Sequence, residues 1–299
     1  MFTASQIEQY HRDGFTIARG LFSSEEVARL RAHYMKLREG QEHPGDFVGV
    51  PVQPAVAQRI IGDSAKTGDV FLEDKPDPLK QYPRMIHMHR WDEASLHWLL
   101  DKRLNEHLTA LLGREPFAVQ TMLYFKPPGA RGQALHQDQY YLKVQPGTSM
   151  AAWMALDDCD EANGCMQMVA GSQNWDVLCA IPADTTQSFT DVTVPLPQGV
   201  KPTPALMQAG DVLFFGGQVV HGSYPNTTDR FRRSLIGHYI VGEAQKVAHF
   251  YHPVLRMDGS LVELGLSEGG GTCGVWTERG GKPMIEMQGL SKAKADDHE

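Results

Sequence analysis

The stretch FAVQTMLYFKPPGARGQALHQDQYYLKV, residues 117–144, decides the fold that we expect for this chain. Two short, largely apolar or alternating runs, 117–125 and 135–144, flank a loop that contains Pro-Pro-Gly, which is the pattern of two β-strands and a turn. Similar runs continue to about residue 242, in SMAAWMALDD, DVLFFGG and RRSLIGHYIVG. Many short strands separated by Gly and Pro turns predict a double-stranded β-helix, the jelly-roll or cupin-like fold.

The N-terminal third has a different pattern and predicts helices that pack on this core. Ser23 and Glu26 have capping-box spacing ahead of a helix that closes at Gly40, and residues 93–113 predict one or two more helices ending at Gly113. Residues 41–83, rich in Pro, Gly and Asp, are expected to be irregular. We predict one mostly β, α+β domain over residues 1–290: a helical part to about 115, a jelly-roll core over 116–255, an extension over 256–290, then a disordered tail, 291–299.

Composition excludes several classes of function. The 299 residues carry a net charge of −8 and no basic run, which argues against nucleic acid or an anionic membrane as the partner and favours a small molecule. No apolar run is long enough for a membrane helix and no signal peptide is visible, so we expect a cytoplasmic protein. The oligomeric state is not indicated. The cysteines show no CxxC pairing and are expected to be reduced: Cys159, Cys165, Cys179 and Cys273.

The HQD sequence at 136–138 predicts part of a metal site. On a strand, residues i and i+2 share a face, so His136 and Asp138 would project together while Gln137 faces the other way. His221, 83 residues after Asp138 and at the end of an apolar run, is the candidate third ligand. Two histidines and one carboxylate leave three positions on Fe(II) for a chelating cosubstrate and O₂.

A candidate anion clamp follows the third ligand. Arg232 lies 11 residues after His221, at the start of another strand pattern. An arginine buried near the metal needs an anionic partner, and the distal carboxylate of a keto acid matches its guanidinium fork. The Ser223 hydroxyl is positioned to add a hydrogen bond to the same carboxylate.

Three stretches together resemble one known family: MLYFKPPGARGQALHQDQYY, AAWMALDDCDEANGCMQMVAGS and HGSYPNTTDRFRRSLIGHY. They are similar to the phytanoyl-CoA dioxygenase family of Fe(II)/2-oxoglutarate oxygenases, and the resemblance runs from about residue 5 to 245. It implies Fe(II), 2-oxoglutarate and O₂ as cofactors, with Arg232 on the C5 carboxylate of 2-oxoglutarate. The iron ligands that it implies are His136, Asp138 and His221, and the further cosubstrate contacts are Met122, Trp153, Ser223 and Gln133.

Candidate contacts to the substrate follow from strand alternation. Gln120 and Tyr124 flank Met122 at even spacing, and His238 has even spacing from Arg232, so all three are expected to face the same cavity. The family also places a basic residue on an earlier strand. Arg84 and His87 are both candidates for it, and His87 is in addition a candidate pocket residue.

The resemblance implies hydroxylation of an unactivated C–H bond of a small metabolite, with release of succinate and CO₂. Asp138 favours hydroxylation over halogenation, because related halogenases have a small residue in its place. Two alternatives stay open: a barrel that has lost catalysis and binds a small ligand, and a metal-dependent hydrolase, which would have no need for Arg232. The complete set of His136, Asp138, His221 and Arg232 favours the oxygenase.

Overall fold

A computed structural model describes residues 1–39, 84–267 and 272–288. The irregular segment predicted over 41–83 and the tail predicted over 291–299 lie outside these residues. The described ranges hold five α-helices: α1 (Ala4–Asp13), α2 (Ser24–Glu39), α3 (Glu93–Leu99), α4 (Lys102–Leu112) and the single turn α5 (Gln139–Leu142). They also hold three short 3-10 helices, Met88–Arg90, Ser172–Asn174 and His249–Tyr251. None of the helices in these ranges has the length and apolar character needed to cross a membrane.

The strands of the described ranges are short, as the turn-rich sequence predicts. In chain order they are β1 (Phe15–Ala18), β2 (Arg84–Ile86), β3 (Phe117–Tyr124), β4 (Gln133–His136), β5 (Ser149–Ala155), β6 (Met166–Met168), β7 (Ile181–Pro182), β8 (Val192–Thr193), β9 (Thr203–Ala205), β10 (Val212–Gly216), β11 (His221–Ser223), β12 (Ser234–Ile240), β13 (Lys246–Val247), β14 (Val254–Leu255), β15 (Leu261–Val262), β16 (Gly265–Leu266), β17 (Cys273–Arg279) and β18 (Lys282–Gln288).

Two antiparallel sheets form the core. The major sheet has the order β1-β10-β5-β12-β3-β14-β15, with β2 also paired to β3, and the minor sheet has the order β4-β11-β6-β9. From β3 to β6 and again from β9 to β12 the chain passes between the two sheets. This alternation is the jelly-roll connection, so the predicted double-stranded β-helix is confirmed.

Side chains alternate across the major sheet and build two apolar layers. One face, with Trp153 and Ile236, packs against Met166 and Met168 of the minor sheet and forms the interior of the jelly roll. The other face packs against the helices. Burying each large side chain contributes about 1.5–3 kcal/mol, so the two layers hold the sheets and helices in fixed positions.

The helices begin and end where the sequence predicts. Glu26 N donates to Ser23 Oγ (3.3 Å) and Ser23 N donates to Glu26 Oε2 (2.8 Å), which is a complete capping box at the start of α2. Gly113 ends α4 with a left-handed φ of 77°. Helix α2 ends at Glu39, beside the predicted stop at Gly40.

The prediction that all four cysteines are reduced is wrong for two of them. Cys179 and Cys273 form a disulfide with their Cα atoms 4.8 Å apart, whereas Cys159 and Cys165 are free and buried. The two bonded residues are 94 positions apart, so no local spacing indicates the pair. Gly274 N donates to Val177 O (2.8 Å), which holds the β17–β18 hairpin against the segment before Cys179.

The hairpin covers the outer face of the minor sheet. Trp276 packs edge-on against Trp175 with ring centroids 5.0 Å apart, and its indole Nε1 donates to Pro195 O (3.0 Å). Both tryptophans contact the apolar cluster that includes Val169 and Val220. The disulfide therefore anchors the C-terminal hairpin to the wall behind the minor sheet.

We expect the paired substitution Cys179→Ser and Cys273→Ser to lower the free energy of unfolding by about 2–5 kcal/mol, because the bond closes a long loop. Urea unfolding measures the change. A reducing agent should destabilise the wild-type chain by a similar amount and leave the double variant unaffected. Equal stability of the wild-type chain with and without reductant would contradict this role.

Candidate active site

The two histidines of the predicted metal site face each other across the minor sheet. His136 is the last residue of β4, His221 is the first of β11, and the register pairs them directly. Their ring centroids are 4.2 Å apart. A pairing of adjacent antiparallel strands thus brings together two residues that are 85 positions apart.

Asp138 joins them by a route that the sequence did not indicate. Strand β4 ends at His136, and Asp138 lies in the turn that opens α5, with helical φ −61° and ψ −32°. The turn carries its carboxylate to the imidazoles, with Oδ1 3.6 Å from His136 Nε2 and 3.7 Å from His221 Nε2. The ligand atoms of all three residues lie within 4.8 Å of one another.

Backbone hydrogen bonds set which ring nitrogens face the metal position. His136 Nδ1 donates to Ala134 O (2.9 Å), and His221 Nδ1 donates to Val219 O (2.9 Å). Since a carbonyl only accepts, each Nδ1 carries the proton and each Nε2 is a bare donor atom for a metal. Burial, joined by the neighbouring His221, lowers the pKa of His136 to about 4. His136 is therefore neutral at physiological pH, as a metal ligand must be.

The carboxylate of Asp138 completes a donor set suited to iron. Burial raises the pKa of Asp138, but His221, His238 and His136 outweigh burial and hold the pKa below its usual range. His238 Nε2 lies 3.4 Å from Asp138 Oδ2. Two imidazoles that present their Nε2 atoms and one supported carboxylate form the 2-His-1-carboxylate set of non-haem Fe(II) oxygenases.

Gln137 is more than the spacer that the strand period predicts. Its buried amide donates to Asp176 O (3.3 Å) and Gln218 O (2.9 Å) and accepts from Leu178 N (2.8 Å). Gln218 belongs to the turn that leads to His221, and Leu178 precedes the disulfide. Gln137 therefore ties together the segments that hold the metal ligands.

Arg232 lies two residues before β12 and is only 2% exposed. Its Nε donates to Gly164 O (3.1 Å) and its Nη1 donates to Ser234 Oγ (2.8 Å). The guanidinium carbon lies 5.2 Å from the centre of the Trp153 ring. No carboxylate among the described residues pairs with Arg232, and burial lowers its pKa. A buried cation without a counter-ion is a site for an anionic ligand.

A second buried basic residue, Lys126, was missed by the sequence reasoning. It is 3% exposed, and its Nζ donates to Ser223 Oγ (2.8 Å) and to Tyr224 O. Burial first, and then Arg232, lower the pKa of Lys126 well below its usual value. The same even spacing that indicated Gln120 continues to residue 126, so strand alternation was a signal for it.

The hydrogen bonds around the Ser223 hydroxyl leave it able to act only as a donor toward a ligand. Its oxygen accepts from Lys126 Nζ (2.8 Å) and from Gln133 N (3.2 Å). Both lone pairs are therefore occupied, and the hydroxyl proton is free only to donate. Arg232 and Ser223 together offer donors and no acceptor, which matches a carboxylate.

Gly164 allows the side chains of Arg232 and Lys126 to approach one another. Its φ is +89°, and a Cβ there would lie 2.6 Å from Tyr224 O and 3.0 Å from Lys126 Nζ. Its own carbonyl accepts from Arg232. Any larger residue would displace the backbone or Lys126.

The structure also brings the remaining predicted residues to the interior of the jelly roll. On β12, Ile236 pairs with Met122 and with Trp153, and His238 pairs with Gln120. The Tyr124 hydroxyl donates to Gln133 Oε1 (3.3 Å), and Gln133 Nε2 lies 3.2 Å from His136 Nε2. These placements leave the predicted roles of the residues as predictions.

Both candidates for the earlier basic position lie beside β3. Arg84 is on β2, and its Nη1 donates to the Tyr124 hydroxyl (3.4 Å). His87 directly follows β2, is buried, and has a left-handed φ of 57°. Arg84 is therefore connected to the residues around the metal ligands, while His87 lies beyond the end of that strand.

The sequence pattern of the family described as "Phytanoyl-CoA dioxygenase (PhyH)" matches residues 10–234. The chain belongs to this family. Membership confirms the resemblance and places the chain among the oxidoreductases that use iron, 2-oxoglutarate and O₂, in agreement with the His-Asp-His set. The zebrafish (Danio rerio) "Phytanoyl-CoA dioxygenase domain-containing protein 1" is 31% identical over 278 residues, which cover 81% of this chain and 91% of that protein. The rice (Oryza sativa) "Phytanoyl-CoA dioxygenase 1" is 24% identical over 249 residues, which cover 80% of this chain and 89% of the rice protein.

Solved structures support the fold of this PhyH-family chain. EvdO2 from Micromonospora carbonacea, solved with 2-oxoglutarate, has a TM-score of 0.58 and is 19% identical in sequence. The matched region covers 81% of this chain and 92% of the EvdO2 chain. The epimerase SnoN from nogalamycin biosynthesis has a TM-score of 0.57 and is 19% identical in sequence. The matched region covers 80% of this chain and 83% of the SnoN chain. At such low identity the likeness concerns the jelly-roll fold alone.

Proposed function

We propose that this chain is a dioxygenase that hydroxylates an unactivated C–H bond of a small organic molecule while 2-oxoglutarate is converted to succinate and CO₂. One observation carries the proposal: a complete 2-His-1-carboxylate set shares the interior of the jelly roll with a buried cationic pocket that presents only donors. An oxygenase of this class needs both parts, one for the metal and one for the cosubstrate.

Each part has a defined task. His136, Asp138 and His221 hold Fe(II) through two bare nitrogens and a charged carboxylate. Iron with its cosubstrate supplies the activation of O₂ and the oxidation of the C–H bond. Arg232 and Ser223 donate to the distal carboxylate of 2-oxoglutarate and so orient the cosubstrate.

Other interior residues complete the cosubstrate pocket. Trp153 stacks beside Arg232 and, with Met122, contributes to the apolar cluster between the sheets, which excludes water around the cosubstrate. The Gln133 amide lies next to the metal-binding nitrogen of His136 and is placed to contact a group bound at the metal. Gln120 and Tyr124 belong to the same interior face and are proposed to contact the substrate.

The substrate and the product of the oxidation are to be determined on this chain itself. Structures with this fold include the epimerase SnoN and the carbocyclase SnoK, so the product itself must be identified. A small molecule is the proposed partner. We also propose a single domain over residues 1–290 and a cytoplasmic location. A mouse relative that is 23% identical is named as peroxisomal.

The proposed function is tested by turnover. The purified chain is loaded with Fe(II) and 2-oxoglutarate without oxygen, mixed with fractions of a metabolite extract, and exposed to O₂. We expect succinate formation that requires iron and rises with one fraction, whose product gains one oxygen atom in mass spectrometry. Failure to bind iron and 2-oxoglutarate would support the ligand-binding barrel instead. Product without succinate would support the hydrolase.

Lys126→Met is expected to raise the dissociation constant of 2-oxoglutarate about tenfold, because Ser223 loses the Nζ donor that leaves its hydroxyl free only to donate to the cosubstrate. Anaerobic titration of the iron–cosubstrate charge-transfer absorption measures this constant. The exposed Lys201→Met is the matched control. Ser223→Ala should add little to Lys126→Met, because the two residues act through one hydrogen bond. Full additivity would show that Lys126 acts independently of Ser223.

A further inference from the structure

Five buried imidazole nitrogens have no hydrogen-bond partner in the described part of the chain. One is Nε2 of His252, and the other four belong to three more deeply buried histidines: Nδ1 and Nε2 of His87, Nε2 of His89 and Nδ1 of His238. The three residues are 5%, 5% and 7% exposed. Buried polar atoms are nearly always paired, because removal from water costs free energy that only a new hydrogen bond offsets. A group of such atoms on one side of a metal site indicates a ligand that completes them.

His238 lies on the far side of the metal site from the anion pocket. His238 is six residues along the chain from Arg232, which at the rise of a β-strand is about 20 Å. A five-carbon dicarboxylate held at Arg232 does not span that distance. His238 Nε2 is 3.4 Å from Asp138 Oδ2, so this end of the interior borders the metal carboxylate. It belongs to the space that the substrate must occupy.

His87 shares this region. It follows Ile86, which pairs with Met122 on the interior face of β3. Its ring lies 4.6 Å from the Phe250 ring and 5.8 Å from the His89 ring. The left-handed φ of 57° is uncommon for a residue with a side chain, and such backbone conformations concentrate at functional positions.

The ring of His87 has two different hydrogen-bonding atoms. Burial, followed by the nearby Arg90, His89 and His238, lowers its pKa well below the usual value, so the ring is neutral. One nitrogen then donates and the other accepts, and neither has a partner. The guanidinium of Arg90 already donates to Phe250 O (3.1 Å) and His252 O (2.8 Å) through Nη2.

A hydroxyl group is the ligand that suits either atom, because its oxygen can donate to the bare nitrogen or accept from the protonated one. A carboxylate or phosphate only accepts and would leave the bare nitrogen unpaired, and an alkyl chain would leave both unpaired. We propose that His87 and His238 bind a hydroxyl-bearing part of the substrate, so that the molecule oxidised beside Asp138 is an uncharged, hydroxylated compound. The inference rests on the proposed function, since it assigns this end of the interior to the substrate.

The test uses the full chain with ¹⁵N-labelled histidine, with Zn(II) in place of Fe(II) so that ring signals stay sharp, and with 2-oxoglutarate. The probes are trans-cyclohexane-1,2-diol and cyclohexanecarboxylate, which share one ring and differ in charge. We expect the diol to shift the ring-nitrogen signals of His87 and His238, and the carboxylate to leave them in place. Spectra of single-histidine variants assign the signals.

Two variants and a control measure the contribution of His87. His87→Leu should raise the dissociation constant of the diol roughly tenfold, because the buried hydroxyl loses its hydrogen bond to the ring. His87→Asn should retain most of the affinity, because asparagine tolerates the left-handed backbone and both donates and accepts. His97→Leu, at an exposed histidine of α3, is the matched control and should bind as the wild type.

The inference is overturned if the carboxylate shifts the signals and the diol does not, if neither probe shifts them, or if His87→Leu binds the diol as the wild type does. The charge-transfer absorption of the Fe(II) form with 2-oxoglutarate is recorded in parallel. If this absorption forms and the diol result is negative, only the hydroxyl subsite fails. If the absorption does not form, the proposed function itself fails. Thermal unfolding confirms that each variant is folded.

Discussion

Asp138→Ala is expected to abolish iron-dependent turnover and to weaken Fe(II) binding by more than the roughly 10- to 100-fold that loss of an outer-shell partner causes. Asp138 supplies the only carboxylate of the ligand set in the described chain. Without it, two neutral imidazoles face a divalent cation with no charge to offset it. Fe(II) affinity is measured anaerobically by competition with a chelator, and turnover by succinate formation.

A matched control separates loss of the ligand from loss of the fold. Asp229→Ala removes an exposed aspartate close in sequence to Arg232 and should retain both iron affinity and turnover. Asp138→Ala should unfold at a temperature close to that of the metal-free wild type, because Asp138 makes no helix-capping hydrogen bond. Iron binding and succinate formation at the wild-type level in Asp138→Ala would remove His136, Asp138 and His221 from the proposed role.

The sequence predicted much of this site because two simple rules apply to it. Period-2 alternation and Gly/Pro turns indicate short strands, and a jelly roll is the fold that pairs β4 with β11 and so brings His136 to His221. Asp138 lies beside the two histidines, as predicted, but the strand period explains its position only in part. The strand rule predicts that Asp138 and His136 project from the same face of one strand. In the structure Asp138 instead lies in the helical turn that opens α5, and this turn brings its carboxylate to the histidines.

Contacts between distant segments set the limit of the sequence reasoning. Lys126 follows the alternation of β3, but only the structure shows that its ammonium reaches Ser223, 97 positions away. The polarity of the Ser223 hydroxyl depends on that contact and on the backbone of Gln133. The Cys179–Cys273 bond likewise requires the C-terminal hairpin to fold back on the minor sheet, which no local pattern indicates.

Arg232→Met is expected to raise the dissociation constant of 2-oxoglutarate by about 30-fold or more, since truncating one partner of a buried, hydrogen-bonded charge pair costs about 2–5 kcal/mol. Arg232 has no carboxylate partner among the described residues, so the cosubstrate is the anion that loses its contact. Fe(II) affinity should stay unchanged, because the arginine contributes no metal ligand. Anaerobic titration of the charge-transfer absorption gives the first constant, and chelator competition gives the second.

Arg230→Met is the matched control, because Arg230 is exposed and its guanidinium pairs with Asp160 (2.7 Å) at the surface. Arg232→Lys keeps the charge but loses the planar fork, so its affinity for 2-oxoglutarate should fall between those of the wild type and Arg232→Met. The series also separates the alternatives that the sequence left open. A metal-dependent hydrolase would keep its activity in Arg232→Met, whereas an oxygenase loses turnover at low 2-oxoglutarate and recovers part of it at high 2-oxoglutarate. Such recovery requires an intact metal centre, so the outcome tests the anion pocket separately from the iron ligands.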